Sequence, residues 1–107
     1  MMREPAIQRM INDVKNTDNR VQIIGYVKDV VENDYIILND KAGDIKVDIK
    51  KVDFSYKKNE LINIIGELSI SSGGEKEIIA EIIQDKKNLN FEYYQKLYEI
   101  KKELNLV

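Results

Sequence analysis

The stretch YIILNDKAGDIKVDI, from Tyr35 to Ile49, carries the most restrictive pattern in the chain. From Asp44 to Lys50 the apolar residues Ile45, Val47 and Ile49 alternate strictly with Asp44, Lys46, Asp48 and Lys50. That period of two belongs to a β-strand with one buried face and one wet face. The apolar run before it, from Tyr35, reads as a second strand. Asp40-Lys41-Ala42-Gly43 joins the two as a tight turn, in which Asp40 can cap the backbone and Gly43 can take a positive φ. The pattern specifies a hairpin of fixed register with one face that must be covered.

Three further strands are legible. RVQIIGYVKDV places Val21, Ile23, Gly25 and Val27 on one face and Ile24 and Tyr26 on the other. LINIIGELSI and KEIIAEIIQ follow the polar connection KKVDFSYKKNE and are joined by the hairpin loop SSGGE. Gly25 and Gly66 fall inside strands, where glycine usually marks a bulge or a sharp bend. A strand serving two sides of a small closed barrel needs such a bend. Five Ile-Ile doublets, at 23–24, 36–37, 64–65, 78–79 and 82–83, break simple alternation and point to strands covered on both faces.

Helices at the two ends of the chain can supply that cover. Pro5 suits a first helical turn, and Ile7, Met10, Ile11 and Val14 share one helical face. A short amphipathic helix is predicted there, with an extended segment packed on a barrel as the other reading. NLNFEYYQKLYEIKKELNLV reads as a longer helix over about 90–106. Asn90 is its N-cap, Glu92 sits near the positive end of its dipole, and Glu92 and Lys96 form an i,i+4 pair. Tyr93, Leu97, Ile100, Leu104 and Val107 form one apolar stripe, and Phe91, Tyr94 and Tyr98 an adjoining one. Together they are wider than an ordinary surface helix needs. One stripe can dock on the chain's own barrel. The other is then free for a partner, and the 4-3-4-3 spacing of the Tyr93 stripe suits helix–helix packing; the alternative is that both stripes pack on the barrel and the chain is a monomer.

Composition excludes several function classes. The 107 residues are the size of one domain, and 17 basic residues against 19 acidic ones leave a charge of −2. A basic nucleic-acid binder normally shows a positive excess, so any basic patch here must come from folding. There is no Cys and no His, which removes disulfides, thiol chemistry, the usual zinc ligands and the commonest general base. With no P-loop and no nucleophile elbow, a non-enzyme with no cofactor and no metal is expected. No apolar run approaches the ~20 residues that span a bilayer, and the N-terminus lacks a signal core. No membrane contact and a cytoplasmic location are expected.

The array RVQIIGYVKDV, YIILNDKAGDIKVDI and LINIIGELSISSGGEKEIIAEII, behind the leader EPAIQRMINDV with Arg3 and Pro5-Ala6, resembles oligonucleotide/oligosaccharide-binding (OB) fold domains. It looks most like the single-domain, replication protein A-like subunits of archaea. The resemblance implies an all-β, single-domain chain, residues 1–107. Its core would be a five-stranded OB-fold Greek-key barrel, about 20–87, flanked by a short N-terminal helix and a longer C-terminal one. The connection after the third strand is too short for a full helix.

The same resemblance implies a function: a non-catalytic subunit of a replication protein A-like single-stranded DNA-binding complex, acting in DNA replication and repair. Near-neutral charge favours a barrel that is a scaffold with weak or shared strand contact. Sister subunits, or a second copy of the chain, would assemble through Phe91, Tyr93, Tyr94, Leu97, Tyr98, Ile100 and Leu104. A stand-alone OB module binding single-stranded DNA or RNA directly is the alternative. In either case nucleic acid would lie across the Tyr35–Ile49 hairpin. Tyr26, Tyr35, Phe54 and Tyr56 are the stacking candidates, and Lys28, Lys41, Lys46, Lys50 and Lys76 the phosphate candidates. Against this, Tyr26 and Tyr35 can simply cap the barrel, and Asp44 and Asp48 can pair with the lysines.

Overall fold

In the computed structural model, which describes residues 5–107, the elements run β1 (Ile7–Gln8), a 3-10 turn (Ile11–Asp13), β2 (Arg20–Val31), β3 (Tyr35–Asn39), β4 (Asp44–Asp48), β5 (Leu61–Ile70), β6 (Lys76–Asp85) and α1 (Phe91–Glu103). The strand order is β1-β2-β3-β4-β6-β5, and β5 pairs back with β2, so β2 to β6 close into a five-stranded barrel. Its pairings are antiparallel except that of β4 with β6. The hairpin obeys its alternation. Tyr35 faces Asp48, Ile37 faces Lys46 and Asn39 faces Asp44 on the outer wall, while Ile36, Leu38, Ile45 and Val47 are buried inside.

β2 serves two sides of the barrel. Arg20 to Tyr26 pair with β5, and Tyr26 to Val31 pair with β3. The change of partner falls at Gly25 and Tyr26, where a Cβ on Gly25 would lie 2.8 Å from the carbonyl oxygen of Asn39, and the register with β3 shifts just beyond, between Val27 and Asp29. Gly66 does the same work in β5: the register with β6 shifts there, and a Cβ would run into the carbonyl of Ile79. Both mid-strand glycines therefore permit a close backbone approach, as strand glycines do.

The predicted N-terminal helix is not formed. Ile7 and Gln8 are extended and pair parallel with Val21 and Gln22, and only Ile11–Asp13 makes a 3-10 turn. The reason is that two cores compete for this segment. Ile11 and Val14 join the barrel interior, whereas Met10 packs with Ile24, Leu61, Phe91 and Tyr98 beneath α1. Adjacent side chains that must point to opposite sides need an extended backbone, because a helix sets them only 100° apart. Asp18 then locks the segment. Its carboxylate accepts from Arg9 Nε and Nη2 at 3.0 and 3.1 Å and from the Lys15 N–H at 2.9 Å. Arg3, part of the leader, lies outside the described residues.

Two smaller readings also change. Positive φ in the hairpin turn belongs to Lys41, at 71°, and not to Gly43. Gly43 is small because Asn12 packs on it: a Cβ there would meet the Asn12 Oδ1, and Asn12 Nδ2 donates to the Ala42 carbonyl at 3.0 Å. Of the Ile-Ile doublets, 23–24 is covered on both faces, Ile23 by the barrel and Ile24 by α1. Ile37, Ile65 and Ile79 are half-buried on the outer wall, and Ile82 is exposed. No helix fills the connection between β4 and β5; Val52, Phe54 and Tyr56 pack there against the barrel core.

Asp40 is fully buried. Its Oδ1 accepts from the Ala42 and Gly43 N–H groups at 3.1 and 2.9 Å, and its Oδ2 from the Ile11 N–H at 2.7 Å. Replacing Asp40 with Ala strands a buried donor and unties the turn. A loss of about 3 kcal/mol is expected, read as a lower urea midpoint at unchanged m.

The Arg9–Asp18 pair gives a pH signature. Hydrogen bonding by Arg9 holds the Asp18 carboxyl below its ordinary value. That stabilisation is present above the unfolded value of about 3.9 and is lost as pH falls through the lower folded value. Arg9 also lines a surface cleft, so Asp18→Asn is expected to cost about 2 kcal/mol at pH 7, below the usual range for breaking a buried pair. The gap between variant and wild type should close below pH ~4; urea titrations across pH 2–7 measure it.

Candidate nucleic-acid interface and assembly helix

The outer wall of the β3–β4 hairpin gathers Lys28, Tyr35, Lys46 and Lys50, but each cation there already has an anionic partner. Lys28 Nζ lies 2.7 Å from Asp44. Lys46 Nζ lies 3.4 Å from Glu77 and sits 4.4 Å from the centre of the Tyr35 ring. Lys50 Nζ lies 2.9 Å from Asp34 and 3.0 Å from Asp48. The bonds from Lys28 and Asn39 hold the Asp44 carboxyl below its usual range. Burial opposes ionisation of Asp48, but the backbone N–H and ammonium of Lys50 outweigh it and also keep that carboxyl low. Lys50 is raised in turn by Asp34 and Asp48. The wall is charge-paired, so the near-neutral balance of the whole chain holds locally as well.

Beside this wall lies an open cleft of about 510 Å³ between the N-terminal turn, the hairpin and the β5–β6 loop, lined by Ile11, Ile37, Asp44, Lys46, Glu75 and Lys76 among others. Its charges balance as well. Lys76 Nζ donates to the Val14 carbonyl at 2.6 Å, so it ties down the N-terminal segment. Ile37 and the Gly74–Glu75 edge of this cleft are not among the residues that sequence reasoning singles out. Ile37 shares the outward side of β3 with Tyr35 and Asn39, so strict alternation could have found it; the loop residues carry no such signal.

The remaining candidates lie elsewhere. The Tyr26 ring meets Phe91 edge-on at 5.2 Å, with Lys41 Nζ 5.4 Å from the Tyr26 ring centre and 5.9 Å from that of Phe91. Both belong to the seam between barrel and helix. Tyr56 packs edge-on against Phe54 at 5.6 Å in the β4–β5 connection. Among the described residues no three His, Cys, Asp or Glu side chains converge as a metal site, and no helix is long and apolar enough to cross a membrane.

α1 begins at the expected cap, Asn90, whose side chain accepts from the Tyr93 N–H at 3.0 Å. It ends in a Schellman motif, with Asn105 at φ 58°, the Asn105 N–H bonded to the Lys102 carbonyl and the Leu106 N–H to that of Lys101. Phe91, Tyr94 and Tyr98 face the barrel, where Met10, Ile24 and Leu61 receive them, joined by Leu89 and Val107. Polar bonds fix the seat. Gln8 Nε2 donates to the Tyr94 hydroxyl at 2.9 Å, Gln95 Nε2 to the Asp40 carbonyl at 3.1 Å, and the Tyr98 hydroxyl to Asp13 at 2.9 Å. Burial, and then Asp13, push the Tyr98 hydroxyl up to about 12. The other stripe is bare: Tyr93, Leu97, Ile100 and Leu104 are 65%, 39%, 53% and 62% exposed. Val107 leaves that stripe and packs on the docked cluster.

A closed five-stranded barrel in this strand order, backed by one C-terminal helix, is an OB fold. No family model matches the chain, and no curated protein matches it. Solved structures do. The chain is similar to one in the S. pombe Stn1–Ten1 complex, at 20% identity over 94% of both chains with a TM-score of 0.77. It is similar to the telomere capping protein Ten1 from Saccharomyces pombe, at 22% identity over 92% of this chain and 99% of that one, TM-score 0.74. It is also similar to a chain of a replication protein A heterotrimer bound to single-stranded DNA, at 14% identity over 83% and 75%, TM-score 0.63. What these chains share at such identities is the fold.

If carboxylates mask the lysines of the wall, removing them should unmask a strand site. Asp44→Asn with Asp48→Asn is expected to tighten binding of a single-stranded oligonucleotide several-fold. It should also steepen the fall of log K with log salt by about one unit, since each added phosphate contact on a single strand contributes about 0.7. Fluorescence anisotropy over a salt series measures both.

Proposed function

We propose that the chain is a non-catalytic subunit of a replication protein A-like single-stranded DNA-binding assembly, of the kind its sequence resembles in archaea. The barrel is the scaffold and touches the strand weakly or jointly with neighbours. The C-terminal helix joins it to other subunits or to a second copy. One observation carries this reading: α1 docks one apolar stripe and leaves the second bare, while the lysines of the hairpin wall are already paired. The fold neighbours support it, since one belongs to the Stn1–Ten1 complex and another to a replication protein A heterotrimer bound to single-stranded DNA.

The stand-alone reading rests on the Tyr35–Lys46 pairing and the apolar floor at Ile37, which together could hold a stacked base. Two double variants separate the readings. Lys46→Glu with Lys50→Glu should weaken oligonucleotide binding at least tenfold and leave assembly unchanged. Leu97→Asp with Ile100→Asp should lower the assembled mass in light scattering while the far-ultraviolet circular dichroism stays that of the folded barrel, and should weaken strand binding because shared contacts are lost. Strand affinity that ignores the helix variant and collapses with the lysine variant would leave the stand-alone module standing instead.

A further inference from the structure

We infer that the bare stripe of α1 pairs with the same stripe of a second copy of this chain, and that the two helices run antiparallel. This rests on the assembly role proposed for α1 and names the partner and its direction.

The stripe steps four, three and four residues, from Tyr93 to Leu97, Ile100 and Leu104, the alternation of a two-helix seam. Leu97 and Leu104 then hold one kind of core position and Tyr93 and Ile100 the other. Lys96 and Glu103 border the seam on one side, and Tyr94 and Lys101 on the other. Antiparallel packing sets the two kinds of core position opposite each other. Leu97 meets Ile100 of the second copy and Tyr93 meets its Leu104, so all four bare side chains are covered in symmetric layers.

Charge decides the direction. In the antiparallel arrangement like borders face each other, so Lys96 lies opposite Glu103 of the second copy, and Glu103 opposite its Lys96. Both pairs attract. In the parallel arrangement opposite borders face each other, and Lys96 lies opposite Lys101, which repels. The competing intrachain partner of Lys96 is Glu92 at 3.7 Å, an exposed pair that costs little to give up. Phe91 and Tyr98 seat the adjoining stripe on the barrel, and the four seam residues stay between 39% and 65% exposed. Four side chains per copy make a small interface, in the weak and concentration-dependent class.

The test is sedimentation equilibrium of the full chain up to about 1 mM, the scale of a weak complex. The wild type should dimerise. Lys96→Glu and Glu103→Lys should each weaken the dimer roughly tenfold, since each turns two attractions into repulsions. The double swap Lys96→Glu with Glu103→Lys should restore it, with circular dichroism confirming that every variant stays folded. A Lys96→Glu dimer as tight as or tighter than the wild type overturns the antiparallel arrangement. A wild type that is monomeric throughout overturns self-pairing, and the strand titrations with the helix variant then judge the subunit reading separately. A dimer that survives Leu97→Asp with Ile100→Asp overturns both this inference and the assembly role of α1.

Discussion

The buried carboxylate of Asp40 is the point on which three parts of the chain close. One oxygen takes two N–H groups of its own turn and fixes the β3–β4 register; the other takes the Ile11 N–H. The Asp40 carbonyl accepts from Gln95 on α1. Hairpin, N-terminal segment and helix are thus held by a single fully buried residue. A carboxylate can do this where an amide cannot, because it accepts on both oxygens and the three local donors are all backbone N–H groups. The N-terminal segment is pinned again at Asp18, and only between these anchors can Met10 and Ile11 point into separate cores.

Much of this is legible in the amino-acid sequence. The strict alternation of Ile45, Val47 and Ile49 assigns the hairpin its faces, and the glycines in strands bounded by Ile-rich runs mark where neighbouring backbones come close. The two stripes of α1 are separable by angle alone, and Asn90 announces its start. The losses share one physical cause, which is packing between segments far apart in the chain. Met10, Ile11 and Val14 have helical spacing, yet a barrel end on one side and α1 on the other pull them apart. Gly43 looks like a turn glycine by its place in the motif, but its neighbour is Asn12, 31 positions away in the chain. The same holds for the candidate site. Tyr26 has the outward side predicted for it, but which tyrosine is wet depends on where the C-terminal helix lands, and α1 lands on Tyr26.

The charge-paired wall and the bare helix stripe bear on each other energetically. A lysine held by one or two carboxylates must release them before it can serve a phosphate, so each contact on this wall yields less than a free lysine would. Such a surface gains from company. When two weak strand-binding surfaces are tethered, the second contact becomes intramolecular and overall affinity rises without any new interaction. A near-neutral barrel that assembles can therefore bind a strand that it would release as a monomer.

The docked stripe holds the bare one in place. An isolated helix of this length is marginal in water, and a partner would bear the cost of ordering it. Here Tyr98, Tyr94 and Phe91 are seated on the barrel, with hydroxyls bonded to Asp13 and Gln8 and both helix ends capped. The ordering is complete before any partner arrives, so the exposed Tyr93, Leu97, Ile100 and Leu104 are presented in one fixed array. Preorganisation of this kind is the means by which a small interface can still be specific.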